Sequence, residues 1–317
     1  EQGYNIGRIM TFLGNIPDSV PGQTINRLCG SSMEALLTAT AKIGMEWGDC
    51  YLVGGIESMS RVKRRGFNWS PHPELLQSYP QAYINMGITA ENVANEYKIS
   101  RIQQEEFALK SHHKSFVAQT ENKFNEEIIP IVSKNHSVTK DGCIRSNSSL
   151  EMMSKLEPAF IENGTVTAAT SSPLTDGVVF ALICSEDFCE KNSLKPIGRI
   201  ISGSVSGCKP ELMGLGPINS TNSLMQRLNW DISDIDVFEL NEAFASQSIA
   251  CIDELKLDYE KVNIDGGAIS IGHPLGASGA RIACKAASIL NRIGGSRALA
   301  SMCIGGGMGI SIAIENV

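Results

Sequence analysis

The chain has 317 residues, of which 42% are hydrophobic and 19% are charged, and its formal net charge at pH 7 is −7. A chain of this length exceeds one simple hydrophobic core, so two or three subdomains are expected. The acidic balance excludes nucleic acid as a partner, because no broad basic field is available. No apolar run reaches the roughly 18 residues of a membrane span and no charged-then-apolar leader is visible, so a cytoplasmic protein is expected.

In chain order, the first elements are those of an α/β unit. Small apolar residues at helical spacing predict a buried helix over 32–46, and an apolar run predicts a short buried strand over 51–53. From residue 61 to about residue 157 the chain turns polar and aromatic, with amphipathic helices over 88–98 and 101–122. We interpret that stretch as a lid-like insertion rather than as part of a sheet.

The alternation of strand and helix resumes after the insertion. Strands are predicted over 235–240 and 298–302, with helices over 242–255 and 278–292. The two ends of the chain resemble each other, since each has a glycine-rich turn, a small-residue helix, a short strand and another glycine turn. The sequence therefore predicts a duplicated α/β unit.

The nine cysteines are odd in number and contain no CxxC pair, so free thiols in a reducing compartment are expected. Cys29 and Cys303 stand apart from the others because glycine-rich, small-residue chain follows each of them, and His273 lies in a third stretch of that kind. A cysteine at a helix start has a stabilised thiolate, and an imidazole can accept its proton. Nearby glycines let backbone N–H groups approach a thioester oxygen. A second thiol then suits proton transfer at a carbon next to a carbonyl.

With these residues the sequence resembles the thiolases, in particular the degradative 3-ketoacyl-CoA thiolases of fatty-acid β-oxidation. The resemblance is carried by the three stretches above together with VGGIESMS at 53–60, MGITAENVA at 86–94, GTVTA at 164–168 and NEAFA at 241–245. Several such motifs in the right order are far more specific than one glycine-rich turn.

The resemblance implies an α/β thiolase fold, with two similar five-stranded α/β halves layered αβαβα and a loop domain inserted in the first half. It assigns 1–61 and 174–194 to the N-terminal half, 62–173 to the loop domain and 195–317 to the C-terminal half. The first residues match an internal family segment, so the chain is N-terminally truncated relative to the family. We therefore expect the first sheet to expose an edge and apolar surface.

The resemblance also assigns catalytic roles. Cys29 matches the nucleophile that accepts the acyl group, His273 the base that activates it, and Cys303 the acid that protonates the departing acetyl-CoA enolate. Asn241 matches the asparagine that holds a water beside the enolate oxygen. The backbone N–H groups of Cys29 and Gly305 match the donors to the thioester oxygen.

Contacts with CoA follow from the same resemblance. Arg145 aligns with a basic residue near the adenosine phosphate, Ser172 with a serine at the pantetheine, and Met86 with the lining of the acyl pocket. Asn85 stands where short-chain thiolases carry a histidine, which favours a longer acyl chain. CoA is expected as a co-substrate, with no permanently bound cofactor. A basic cluster at the start of the insertion is either a further phosphate contact or a solvated stretch: Arg61, Lys63, Arg64 and Arg65.

No metal site is predicted. His112 and His113 are adjacent on a predicted helix, so they point about 100° apart and make a poor ligand pair, and we expect both on the surface. His72 and His136 lie in loops without ligand partners at zinc-like spacing.

Two alternatives remain open beside degradative thiolysis. A biosynthetic acetoacetyl-CoA thiolase shares all the catalytic motifs, and a non-catalytic, truncated thiolase-like protein is the alternative outside enzymes. The resemblance implies a homodimer or homotetramer, with a hydratase/dehydrogenase subunit as a possible further partner.

Overall fold

The computed structural model describes residues 4–62, 65–134 and 137–317. Its helices are α1 (Ile6–Leu13), α2 (Ser31–Gly44), α3 (Pro73–Ser78), α4 (Met86–Glu96), α5 (Arg101–Thr120), α6 (Leu150–Ser154), α7 (Glu186–Lys191), α8 (Gly216–Leu228), α9 (Ala245–Glu254), α10 (Ala268–Ile271) and α11 (Leu275–Ile293). Its strands are β1 (Cys50–Ser58), β2 (Ile131–Val132), β3 (Ser137–Val138), β4 (Asp176–Cys184), β5 (Arg199–Gly207), β6 (Val237–Leu240), β7 (Arg297–Ile304) and β8 (Met308–Glu315).

The central sheet has the strand order β5-β8-β7-β6, in which β6 and β7 are parallel and the other neighbours are antiparallel. Alternate residues of β7 and β8 point to opposite faces. One face packs against α2 and α11 through side chains such as Met33, Ile282 and Met302, and the other packs against α8 and α9 through Leu224 and Leu299. The helices α2 and α11 therefore form a buried layer beside this sheet.

The strands β1 and β4 form a second sheet on the other side of that helical layer. They are antiparallel over their whole length, and the insertion connects them. Val53 and Ala181 face the helices and join the core, whereas Leu52, Phe180 and Leu182 face outward and are exposed. The described residues thus form the layers α, β, α and β, with apolar surface on the outermost face as expected.

Three details differ from the expectations. The described chain has two strands in the sheet of β1 and β4 and four in the central sheet, rather than five in each half. The strand predicted over 51–53 runs over Cys50–Ser58, because β4 pairs with it through the two glycines that follow. The predicted short buried strand is therefore longer than expected, and it is buried on one face only.

The predicted helices are present with shifted ends. The last of them begins at Leu275 rather than at 278, directly after Pro274, whose fixed φ suits the residue before a helix. In the insertion, a capping box of Ser100 and Gln103 begins α5, and this helix lies against α9 and α10. The insertion thereby reaches the segments that carry Asn241 and His273.

Candidate active site

Cys29 lies in a tight turn at the N-terminal end of α2. The 3-10 turn Leu28–Gly30 leads directly into the helix, and Ser31 Oγ donates a 2.6 Å hydrogen bond to Leu28 O. Leu28 has a φ of +48°, a conformation that costs energy for a residue with a branched side chain and that clusters at functional sites. This strained turn presents the half-buried thiol at the positive end of the helix dipole.

His273 lies in the corresponding position before α11. Its backbone N donates to Thr175 Oγ1 at 3.3 Å, and two residues into the helix Gly276 N donates to Glu57 Oε2 at 3.1 Å. Glu57 lies near the end of β1, and Thr175 directly precedes the paired end of β4. The sheet of β1 and β4 therefore holds the loop of His273 in place.

The two helices cross closely at their N-terminal ends. A Cβ atom on Gly279 would lie 2.6 Å from the backbone N of Met33, so only glycine permits this approach. Ser32 Oγ accepts a 2.9 Å hydrogen bond from Ala280 N across the same contact. This crossing brings the turn of Cys29 and the loop of His273 to one place.

Two hydrogen-bonding groups flank the imidazole of His273. Its Nδ1 lies 2.6 Å from Ser278 Oγ, and that hydroxyl also lies 3.1 Å from Pro274 O. On the other side, Asn241 Nδ2 lies 3.4 Å from His273 Nε2. We assign the tautomer in which Nδ1–H donates to Ser278 Oγ and Nε2 is unprotonated, because the hydroxyl can then donate to Pro274 O and the amide to Nε2. This is the form that a general base needs.

Asn241 follows β6 and is fully buried, and its backbone N donates to Ser301 O of β7 at 3.0 Å. Among the residues described, none donates a hydrogen bond to Asn241 Oδ1. A buried amide oxygen without a donor is costly unless a water or ligand supplies one. The arrangement suits the water-holding role that the sequence predicts for Asn241, and that role stays a prediction.

Cys303 lies near the end of β7, buried beside the Cys29 turn. The two segments touch, because a Cβ atom on Gly30 would lie 2.6 Å from Ile304 Cδ1. Burial raises the pKa of the Cys303 thiol well above its usual range, and the nearby Cys29 thiol raises it further. A thiol that keeps its proton suits an acid better than a nucleophile, which separates the tasks of the two cysteines.

Gly305 follows in the turn between β7 and β8. A Cβ atom on it would lie 3.4 Å from Met86 Sδ and 3.6 Å from Leu28 Cδ1, so its backbone lies between α4 and the Cys29 turn. Met86 and Phe160 pack against a buried apolar cluster that includes Cys303. The cluster is formed by Ala90, Val166, Met213, Ala243, Phe244 and Cys303. The structure thus brings Gly305 and Met86 to the second thiol.

The predicted CoA contacts are placed less closely together. Ser172 N donates to Ala243 O at 3.1 Å, which places Ser172 beside the segment of Asn241. Arg145 is exposed, and its backbone N donates to His112 Nδ1 at 3.2 Å. Among the described residues, no hydrogen bond or salt bridge joins Arg145 to the three catalytic loops. The roles of both residues stay predictions.

His112 corrects one expectation, because it is buried rather than at the surface. Burial and, to a smaller extent, the charge of Arg145 lower the pKa of His112 to about 4, so the imidazole is neutral and can accept the bond from the Arg145 backbone. Its neighbour His113 is exposed as expected.

Four residues of the site were assigned no role from the sequence: Ser278, Thr175, Glu57 and Glu242. Glu242 is buried in the NEAFA motif, where Oε2 accepts from Ser111 Oγ at 2.6 Å and from Ile269 N at 3.2 Å, and Oε1 accepts from Asn263 Nδ2 at 2.8 Å. It therefore joins α5 of the insertion to the segment before His273. Ser278, Glu57 and Glu242 lie in motifs that carry the resemblance, so those motifs were the sequence signal that could have identified them.

Residues 4–62, 65–134 and 137–317 contain no group of three or more His, Cys, Asp or Glu side chains that could hold a metal ion. No helix there is both long and apolar enough to span a bilayer. His136, Lys63 and Arg64 lie outside the described residues, so nothing is said of their predicted roles.

Comparison with known families gives two matches that together span nearly the whole chain. The family model "Thiolase, N-terminal domain" matches residues 1–187, and "Thiolase, C-terminal domain" matches residues 194–316.

Individual proteins agree with the family matches. The 3-ketoacyl-CoA thiolase of Psychrobacter arcticus is 44% identical over 326 residues, covering 100% of this chain and 83% of the relative. Human mitochondrial 3-ketoacyl-CoA thiolase in complex with CoA superposes with a TM-score of 0.89 at 37% identity, covering 98% of this chain and 82% of that one. The dimeric peroxisomal thiolase of Saccharomyces cerevisiae gives a TM-score of 0.92 at 37% identity, with coverages of 98% and 80%.

Proposed function

The chain belongs to the thiolase family, and from that premise we propose that it is an acetyl-CoA C-acyltransferase. It cleaves 3-ketoacyl-CoA with CoA, giving acetyl-CoA and an acyl-CoA shortened by two carbons, through an acyl-cysteine intermediate. The observation that carries the proposal is the crossing of α2 and α11, which brings the Cys29 turn and the His273 loop together, with the end of β7 that carries Cys303 packed against the Cys29 turn. The name of the Psychrobacter arcticus relative supports the substrate class.

The first step forms the acyl-enzyme. His273 Nε2 takes the Cys29 proton, and the thiolate attacks the 3-keto carbon of the substrate. The bond between C2 and C3 then breaks, which leaves the acyl group on Cys29 and an enolate of acetyl-CoA. Cys303, whose raised pKa keeps it protonated, donates its proton to C2 of that enolate.

The second step regenerates the thiol. The Cys303 thiolate takes the proton of an incoming CoA thiol, and the CoA sulfur attacks the acyl carbonyl. Cys29 leaves and recovers its proton from His273. We assign the oxygen of the thioester to the backbone N–H groups of Cys29 and Gly305, and the enolate oxygen to His273 and a water on Asn241 Oδ1.

We infer the domain division from the same topology. The paired strands β1 and β4 bracket the insertion, which supports a loop domain over 62–173 within an N-terminal half made of 1–61 and 174–194, followed by a C-terminal half over 195–317. Arg145 and Ser172 are proposed to contact CoA, and Met86 the acyl chain.

Assembly and location are part of the proposal. The dimeric yeast structure supports at least a homodimer, and a tetramer or a complex with a hydratase/dehydrogenase subunit extends that proposal. We place the protein in the cytoplasm, which the nine free cysteines support.

A direct assay tests the proposed function. The chain is incubated with 3-ketooctanoyl-CoA and CoA, and acetyl-CoA and hexanoyl-CoA are followed by mass spectrometry. Equal formation of both products supports thiolysis, and its loss in Cys29→Ser assigns it to this site. A matched control is Cys251→Ser, which changes a buried thiol in the core cluster around α9. Wild-type chain that forms neither product would contradict the proposal and favour a non-catalytic protein.

A further inference from the structure

Two thiols face each other across β1 and β4, outside the active site. Cys50 begins β1, Cys184 ends β4, and the two residues are direct partners in the antiparallel register. Their sulfur atoms are 3.5 Å apart. Among the described residues, Cys50 is exposed and Cys184 is partly exposed.

The hydrogen-bond pattern of the strands favours a covalent link at this position. The neighbouring pair is hydrogen-bonded, because Ser185 N donates to Asp49 O at 2.8 Å. Hydrogen-bonded and non-hydrogen-bonded pairs alternate along an antiparallel ladder, so Cys50 and Cys184 form a non-hydrogen-bonded pair. Such pairs bring their Cα atoms to about 4.5 Å, within the range that a disulfide spans.

A bond between Cys50 and Cys184 would close a long loop of the chain. Cys50 and Cys184 lie on the outward face of the sheet with Leu52 and Leu182, opposite the face that packs on α2 and α11. They also stand at the two points where the chain enters and leaves the β1 and β4 pair, so a bond between them closes residues 51–183 into one loop. A long closed loop loses more freedom in the unfolded chain than a short one.

We propose that Cys50 and Cys184 form a reversible disulfide when the protein meets hydrogen peroxide. In the first step the Cys50 sulfur attacks one oxygen of the peroxide, the O–O bond breaks, and a sulfenic acid and one water form. In the second step the Cys184 sulfur attacks the Cys50 sulfur, the S–O bond breaks, and the disulfide and a second water form. The two thiols supply two protons and two electrons, which reduce the peroxide.

The environment of the thiols sets the order of these steps. Burial, together with the adjacent Cys50 and Cys189 thiols, raises the pKa of the Cys184 thiol to about 12. Cys184 therefore keeps its proton, and the more exposed Cys50 reacts first. Cys189, in α7, is a third thiol near Cys184 and a competing partner.

The test uses the whole chain and hydrogen peroxide. Reduced protein is treated with peroxide, remaining thiols are blocked by alkylation, and proteolytic peptides are mapped by mass spectrometry without reduction. We expect a peptide pair joining Cys50 to Cys184, two hydrogen masses lighter than the separate peptides, that dithiothreitol releases. Cys50→Ser removes this species, and the matched control Cys189→Ser keeps it.

A second measurement does not depend on those peptides. Peroxide is expected to raise the midpoint of thermal unfolding of wild type and Cys189→Ser by several degrees, and to leave Cys50→Ser without this gain. A link from Cys184 to Cys189 instead, separate oxidation of both thiols to sulfinic acids, or an equal shift in Cys50→Ser would overturn the proposal.

Discussion

Ser278 Oγ lies between His273 Nδ1, at 2.6 Å, and the carbonyl oxygen of Pro274, at 3.1 Å, and in the tautomer that we assign it accepts from the imidazole and donates to the backbone. The serine is one helical turn into α11, so the helix itself holds the ring in place. This single hydroxyl both orients the imidazole and leaves Nε2 as the basic nitrogen.

Replacing Ser278 with alanine is expected to lower kcat/KM for thiolysis about 10-fold, or about 1.4 kcal/mol of transition-state stabilisation, because the other tautomer and ring orientation become accessible. The measurement is the pH profile of kcat/KM. Ser220→Ala is the control for the loss of a buried hydroxyl, because its Oγ contacts Ser311 Oγ far from the imidazole. An equal effect of both variants would show that Ser278 acts only on stability.

Replacing Cys303 with alanine is expected to spare acylation of Cys29 by an acyl-CoA more than it spares cleavage of the bond between C2 and C3. The reason is that Cys303 moves a proton at the acetyl carbon and does not attack the thioester. Burst acylation and full turnover are measured on the same preparation. Equal losses in the two assays would show that Cys303 is needed for acylation as well, and not only for proton transfer at the acetyl carbon.

Glu239 gives a prediction for stability. It is buried in β6, no residue in the described part of the chain hydrogen-bonds to its Oε1, and the pKa of its carboxyl is raised to about 8. Desolvation is the largest cause of the shift; the negative charges of Asp265 and Glu242 raise the pKa further towards that value, and the positive charges of Arg281 and Lys285 oppose them.

The sign follows from linkage. The folded state holds a proton on Glu239 that the unfolded state has lost above its ordinary pKa, so wild-type stability falls as pH rises towards 8. Glu239→Gln removes this dependence. As pH rises from the ordinary pKa of glutamate towards 8, the free energy of unfolding of this variant should increase relative to that of wild type by up to about 1.4 kcal/mol per pH unit. The measurement is urea unfolding of both proteins at several pH values. The control is the exposed Glu254→Gln. A difference from wild type that stays constant with pH would refute the assignment.

The acyl pocket gives a prediction for substrate length. Met86 and Phe160 flank the apolar cluster of Cys303, and Asn85 caps α4 by accepting a 2.8 Å hydrogen bond from Gly87 N. Each buried methylene of the acyl chain contributes about 0.8 kcal/mol at most, so two of them suffice for a tenfold preference. We expect kcat/KM to be higher for medium or long 3-ketoacyl-CoA than for acetoacetyl-CoA. A maximum at four carbons that falls with length would favour the biosynthetic thiolase instead.

Much of the fold and site could be predicted from the sequence because its signals are local. Small residues at helical spacing indicated α2 and α11, and glycine-rich loops singled out Cys29, His273 and Cys303. The contacts that refine the site are not local. The strand β1 continues through Gly54 because β4 pairs with it from more than a hundred residues away.

The burial of His112 shows the same limit. Two adjacent residues on a helix point to different faces, but the sequence does not say which face the insertion covers. The segment that carries Arg145 packs over His112, and that packing depends on the tertiary fold. The partner of His273 Nδ1 likewise depends on how Pro274 and Ser278 are placed within one turn.

The most direct measurement of the central claim is the intact mass of the protein after brief exposure to an acyl-CoA, followed by mapping of the acylated peptide. The account predicts one added acyl group on Cys29, its removal on addition of CoA, and no adduct in Cys29→Ser while the fold is retained, because a hydroxyl is far less ionised than a thiol. Absence of an adduct in wild type, or acylation and thiolysis that persist in Cys29→Ser, would contradict the account.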